Sequence, residues 1–306
     1  MQMKMLGKLI APFTLLLAAP ACGQPAPQAA TTPVTIVQNA DPALWVVKDK
    51  DTTIYLFGTI HVLQPGLTWF DGGVKKAFDQ SNQVVLELVM PDAPAMQALV
   101  MAKGMAHDGI KLTDRLPEGK RAAYAKALAD LGLPATSLDA MEPWLAATNL
   151  SLLPLMKMGY DVSNGPEQAI TKAAGAAGKP VIGLETAEQQ LGYFDSLSMP
   201  AQVAFLSSTV EELPKLDATM KSMVASWAKG DPDGLARTLN DDLNASPEVK
   251  QALLVNRNKN WANWIDERMK QPGVVFMAVG AGHLAGSDSV IVQLKAHHLK
   301  AKRVKY

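Results

Sequence analysis

Thr53-Ile54-Tyr55-Leu56-Phe57-Gly58-Thr59-Ile60-His61 and Val274-Val275-Phe276-Met277-Ala278-Val279-Gly280-Ala281-Gly282-His283 decide how this chain folds. Each is an apolar run of strand length that ends in Gly-x-x-His. A glycine just before the histidine lets the backbone turn sharply or approach a ligand. The chain has only five histidines, so two in matched contexts point to one shared site. The spacing implies that folding brings the two strand ends together.

Working outward, two more apolar strands carry an acid. Val84-Val85-Leu86-Glu87-Leu88-Val89 encloses Glu87, and Pro180-Val181-Ile182-Gly183-Leu184-Glu185 ends in Glu185. A carboxylate in an apolar strand is costly unless it is paired or bound to a cation. In open α/β sheets ligands bind at the carboxyl ends of strands. His61, Glu87 and His283 therefore form a candidate divalent metal set, with Glu185 beside them. Arg257, Trp261 and Trp264 fall at helical spacing on one face, and an arginine there requires an anion. Each residue also has a plain reading. Glu87 fits a buried salt bridge, Glu185 an acid at a helix start, and Arg257 a guanidinium stacked on Trp261. His107, His297 and His298 read as solvated.

The rest of the chain reads as strands at Leu44–Val47, Thr53–Ile60, Gln83–Val89, Pro180–Leu184, Val274–Val279 and Ala301–Tyr306. Helical blocks span Ala93 to about Ala177 and Ala187 to about Lys270, broken by prolines, with short helices at Gly72–Ser81 and Ser287–Ala296. Few strands and many helices predict an α/β fold, a mixed central sheet with large helical insertions. Hydrophobic residues make up 48% and charged residues 19%, enough apolar material for a sizeable core. The formal net charge is zero, which argues against nucleic acid as the main partner.

Residues 1–22 read as a signal peptide. Lys4 and Lys8 precede the apolar stretch Leu9–Ala19, and Ala19-Pro20-Ala21 is a small-residue cleavage site. Cys22, the only cysteine, is either a lipidated residue or simply the first residue after cleavage. The lipoprotein pattern has Leu three residues before the cysteine, and here Ala19 stands there. Residues 23–41, rich in Pro, Ala, Thr and Gln, read as a flexible linker, and 42–306 as a single domain. The expected location is periplasmic, with membrane contact only through the signal peptide or a lipid on Cys22. With no cysteine pair, metal ligands must be His, Asp or Glu.

These pieces together resemble the TraB/GumN family, which also contains PrgY and TIKI proteins. The resemblance runs from Leu44 to the C-terminus. It rests on Leu44-Trp45, Tyr55-Leu56-Phe57-Gly58-Thr59-Ile60-His61, Glu87, Gly183-Leu184-Glu185 with Gln189, Arg257-Asn258 with Trp261, and Val279-Gly280-Ala281-Gly282-His283-Leu284-Ala285-Gly286. It implies a fold similar to that of erythromycin esterases and haem-binding ChaN proteins, and a metal-dependent protease chemistry at His61, Glu87 and His283. Many members carry Gly-Val-Asp where this chain has Gly165-Pro166-Glu167, so the acid survives on a longer side chain.

The expectation is thus an exported metal-dependent hydrolase acting on a peptide or ester bond of a peptide or small-molecule substrate. His61, Glu87 and His283 hold a divalent metal ion or activate water directly, Arg257 stabilises the oxyanion, and Glu185 is a spare base. No His-Glu-x-x-His motif supports a zincin mechanism. The rival from another class is a non-catalytic binding protein that sequesters a peptide or haem.

Overall fold

A computed structural model describes residues 38–240, 243 and 246–306. The expected signal peptide, Cys22 and most of the linker lie outside these residues. Six strands form one mixed sheet: β2 (Leu44–Lys48), β3 (Thr52–Thr59), β5 (Gln83–Leu88), β6 (Val181–Glu185), β7 (Gly273–Gly280) and β8 (Lys302–Arg303). Two short strands, β1 (Gln38–Asn39) and β4 (Leu67–Thr68), pair apart from it. The order across the sheet is β6-β5-β7-β3-β2-β8. β6, β5, β7 and β3 run parallel, while β2 lies antiparallel to β3 and β8 antiparallel to β2. Central parallel strands are covered on both faces, and hence β3 and β7 are near-continuous apolar runs.

The sheet separates two cores. On one face the helix Asn256–Met269 lays Trp261, Ala262 and Ile265 against Ile54, Leu56, Val275 and Met277. On the other, Phe57, Trp69, Phe78, Trp227 and Phe276 pack together, with Phe57 stacked on Trp69 at 5.5 Å. Trp227 also donates from Nε1 to the Gly58 carbonyl at 2.7 Å, which anchors the end of β3. A third core, around Trp144, Phe194 and Phe205, lies within the helical insertions.

The prolines mark helix starts: Pro143, Pro166, Pro200, Pro232 and Pro247 all sit in first turns. There the missing N–H costs nothing. Pro154 differs, lying inside Pro143–Lys157. The ends of the chain depart from expectation. The closing strand is only Lys302–Arg303, and Tyr306 instead donates its hydroxyl to the Pro42 carbonyl. Ser287–Ala296 is a short helix at Val290–Gln293 followed by a 3-10 turn at Leu294–His297. Ordered chain begins upstream of Leu44, since Gln38–Asn39 pair with Leu67–Thr68 and Ala40 is buried. Among the described residues no helix is long and apolar enough to cross a membrane.

Candidate functional site

The four neighbouring parallel strands deliver one candidate residue each to the same end of the sheet. Glu185 ends β6, Glu87 is next to last in β5, His283 follows β7 by three residues, and His61 follows β3 by two. Gly280 lies where they meet. A Cβ on it would stand 3.0 Å from Glu87 Oε1, 3.3 Å from His61 Nε2 and 3.6 Å from His283 Cδ2. The matched Gly-x-x-His segments do bring both imidazoles to one point.

Arg257 occupies the centre. Its Nε donates to Glu185 Oε1 at 2.9 Å, and Nη2 to Glu185 Oε2 at 2.8 Å and Glu87 Oε2 at 3.0 Å. The guanidinium also lies over the Trp261 ring at 4.8 Å. The stacked and the ion-paired readings of Arg257 are therefore true together. A five-residue π turn, Gln251–Val255, precedes it and sets the rotation at which the helix presents this side chain. Burial disfavours the charge on Arg257, but the two glutamates outweigh it and hold the guanidinium protonated.

Glu185 is a partner of Arg257, not a helix cap. The helix Ala187–Asp195 is capped by Thr186, whose side chain accepts from the Gln189 N–H while Gln189 Oε1 accepts from the Thr186 N–H. That box leaves Glu185 to face the sheet end, where Trp261 Nε1 donates to it at 3.0 Å and Gln190 Nε2 at 2.9 Å. Glu87 Oε1 accepts from the Gly280 N–H at 2.5 Å.

His283 is held by Asn258. The Asn258 amide donates from Nδ2 to the Asp288 carbonyl at 2.7 Å, so its Oδ1 faces His283 Nδ1 at 2.6 Å. Nδ1 then carries the proton, and the bare Nε2 accepts from Arg257 Nη1 at 3.1 Å. Burial first, then the charges of Arg257 and His61, push the His283 pKa well below the ordinary value, so it stays neutral.

His61 has a different partner, Glu167. Nδ1 lies 2.6 Å from Glu167 Oε1, which also accepts from the Thr59 hydroxyl at 2.5 Å. Glu167 is in the first turn of helix Pro166–Ala176, where the helix dipole favours a carboxylate. Gly165 permits the approach, because a Cβ there would lie 2.4 Å from the His61 carbonyl oxygen. Burial alone would lower the His61 pKa, but the charge and hydrogen bond of Glu167, and then Glu87, raise it. Burial would raise Glu167, and the same pairing with His61 lowers it. Among the described residues His61 Nε2 makes no hydrogen bond.

Two clefts meet at His61. One, of about 690 Å³, is lined by Arg257 and His283 and by apolar side chains such as Phe194, Met223, Leu239 and Leu254. The other, of about 850 Å³, is lined by Glu87, Glu167, Gln168, Thr171 and Gln190 with apolar neighbours.

Sequence reasoning missed three residues here. Asn258 enters the sequence reading only beside Arg257 in the family resemblance, Gln190 does not enter it, and Glu167 enters only as a departure from a family pattern. The acid at 167 and the Asn beside Arg257 were the available signals. The expected metal set converges, but its donor atoms are committed. Glu87 is held by Arg257 and the Gly280 N–H, and His283 Nε2 rests on Arg257. A cation held by His61, Glu87 and His283 would have to take both from a guanidinium and lie beside its charge, so this arrangement does not fit one. Among the described residues no group of three His, Cys, Asp or Glu side chains is placed to hold a metal ion.

No solved structure matches the chain. It is 21% identical over 282 residues to an uncharacterized protein of Treponema pallidum, covering 87% of this chain and 83% of that one. The uncharacterized protein YbaP of Escherichia coli is 22% identical over 255 residues, and that of Shigella flexneri 25%, each covering 83% of this chain and 92% of the relative. The profile of the TraB/PrgY/gumN family matches residues 43–303, which take in every residue of the site just described, and the chain belongs to that family.

Proposed function

We propose that the protein is an exported hydrolase of a peptide or ester bond, working through His61 as general base. The observation that carries this reading is the His61–Glu167 pair. Glu167 fixes the ring and its tautomer, and once pH exceeds the raised pKa of His61 it leaves a bare Nε2 where the two clefts join. His61 Nε2 takes a proton from water as the water oxygen attacks the carbonyl, then gives that proton to the departing nitrogen or oxygen. Arg257, whose N–H groups are committed to Glu87, Glu185, His283 and the Leu253 carbonyl, lines the apolar cleft and acts on the carbonyl oxygen through its charge alone, not through a new hydrogen bond. Glu87, Glu185 and His283 position Arg257. A fold similar to that of erythromycin esterases is part of the same proposal and rests on sequence resemblance.

The test is turnover of a panel of fluorogenic peptides and p-nitrophenyl esters, before and after chelation. The expected result is hydrolysis that survives chelation and falls by about 10²–10⁴-fold in His61→Ala. Loss of turnover on chelation, restored by one divalent ion, would return the cation to the site in place of this scheme. A panel left untouched, with a peptide or haem bound, would favour the binding protein.

A further inference from the structure

The cleft beyond Glu167 differs from its neighbour in its polar groups. No lysine or arginine lines it. Glu87 and Glu167 do; Glu87 shares the single guanidinium of Arg257 with Glu185, and Glu167 pairs with His61, so three carboxylates meet one guanidinium and one imidazole. With His283 neutral, even a protonated His61 leaves the group one negative charge in excess. Gln190 supplies the independent observation. It lines the cleft and is 2% exposed, its Nε2 is spent on Glu185, and its Oε1 accepts no hydrogen bond among the described residues. A buried acceptor without a donor costs about 1–3 kcal/mol, and a ligand that brings a donor recovers it. Thr171 stands exposed at the rim. The cleft thus combines surplus negative charge with one buried acceptor that lacks a donor.

We propose that the cleft lined by Glu167, Thr171 and Gln190 binds an alkylammonium group of the substrate, either a peptide amino terminus or a lysine-like side chain. This rests on the hydrolase reading only for which bond is presented to His61. The ammonium lies on the Glu167 side, and the apolar part of the substrate crosses His61 into the cleft of Phe194, Met223 and Leu254. A cation in one cleft and apolar surface in the other fix the direction in which a chain lies across the base.

The experiment uses probes with no peptide or ester bond to cleave: leucinol (an α-ammonium), hexylammonium (lysine-like) and neutral N-acetylleucinol. Binding to the mature protein is followed by NMR titration of Gln168, Thr171 and Gln190. The expected result is at least about tenfold tighter binding of one ammonium probe than of N-acetylleucinol, a gap of about 1.4 kcal/mol. Preference for leucinol assigns an amino terminus, and preference for hexylammonium a side chain. Glu167→Gln, which keeps an acceptor for His61 and removes the charge, should narrow the gap, as should Thr171→Val at the exposed rim should Glu167→Gln fail to fold. Equal affinity for all three probes, no binding of any, or a gap unchanged in the folded variants overturns the proposal. None of these outcomes depends on hydrolysis, so the role of His61 stands or falls separately.

Discussion

His61 Nδ1 and Glu167 Oε1 lie 2.6 Å apart although 106 positions of chain separate them, and the contact exists because Gly165 lets a helix start against the His61 carbonyl. The pair couples packing to protonation. The His61 pKa is raised above 6.5, so its contribution to stability is complete below that value and is lost as pH rises through the raised one. The Glu167 pKa is lowered below 4.5, so its contribution is present above that value and lost as pH falls through the lowered one. Glu167→Gln should therefore cost most between about pH 4.5 and 6.5, by about 1 kcal/mol, the difference between a charged and a neutral hydrogen bond. Urea unfolding of both proteins across pH 3–9 measures this. A pH-independent difference would mean that the two groups do not ionise as a pair.

Arg257 touches Glu87, Glu185, His283 and Trp261 at once, so it cannot be changed for chemistry alone. Arg257→Met leaves Glu87 and Glu185 buried without their cation and should destabilise the fold by about 3–5 kcal/mol. Arg257→Lys should lose both stability and turnover, since one ammonium cannot serve both glutamates and His283 in a planar fork. Adding Glu185→Gln to Arg257→Met should recover part of the loss, because the uncompensated charge is then gone. Equal stability of the single and double variants would show that Glu185 does not depend on Arg257.

Asn258 sets the tautomer of His283. Asn258→Asp places a carboxylate on Nδ1 and favours the imidazolium, whose Nε2–H then points at Arg257 Nη1. The expected outcome is a stability loss of about 1–3 kcal/mol that eases as pH rises and the ring deprotonates. Nitrogen-15 NMR of His283 is the direct readout, with a neutral Nδ1–H ring in the native protein at pH 6 and an imidazolium in the variant. A neutral ring in both would remove Asn258 from this role.

The sheet and most of the site were legible because they are written locally. Apolar runs of strand length that end in, or contain near their ends, His61, Glu87, Glu185 and His283 map onto four adjacent parallel strands, and a parallel sheet lines up its carboxyl ends. What stayed hidden depends on tertiary placement. Glu167 reaches His61 only through the entry angle of a helix. Arg257 takes its direction from a π turn at Gln251–Val255 that no residue type announces. The metal expectation followed from residue types alone, and the geometry that argues against it is the position of one guanidinium among them.

Export is a prediction from the first 22 residues. Mass spectrometry of membrane and periplasmic fractions should find a chain that begins at or near Cys22. A diacylglyceryl mass on Cys22 would show a lipid anchor, and an unmodified mature chain in the soluble fraction would show plain cleavage. A full-length cytoplasmic chain would refute export.

Gly280→Ala tests whether chemistry occurs where the strand ends meet. The backbone at Gly280, with φ −50° and ψ 132°, suits alanine, so no conformational strain is added. The new methyl instead enters the space bounded by Glu87 Oε1, His61 Nε2 and His283 Cδ2, at 3.0, 3.3 and 3.6 Å. Neighbours must give by a few tenths of an ångström, and overpacking of that order costs about 1–3 kcal/mol. Water or a substrate carbonyl can no longer occupy the point facing His61 Nε2, so turnover should fall by about 10²-fold or more, the scale of an ångström misplacement of reacting groups. Melting temperature and turnover are measured together. A folded Gly280→Ala protein with native turnover would show that the reacting atoms lie elsewhere, and would detach His61 from the proposed chemistry even if both clefts still bind their ligands.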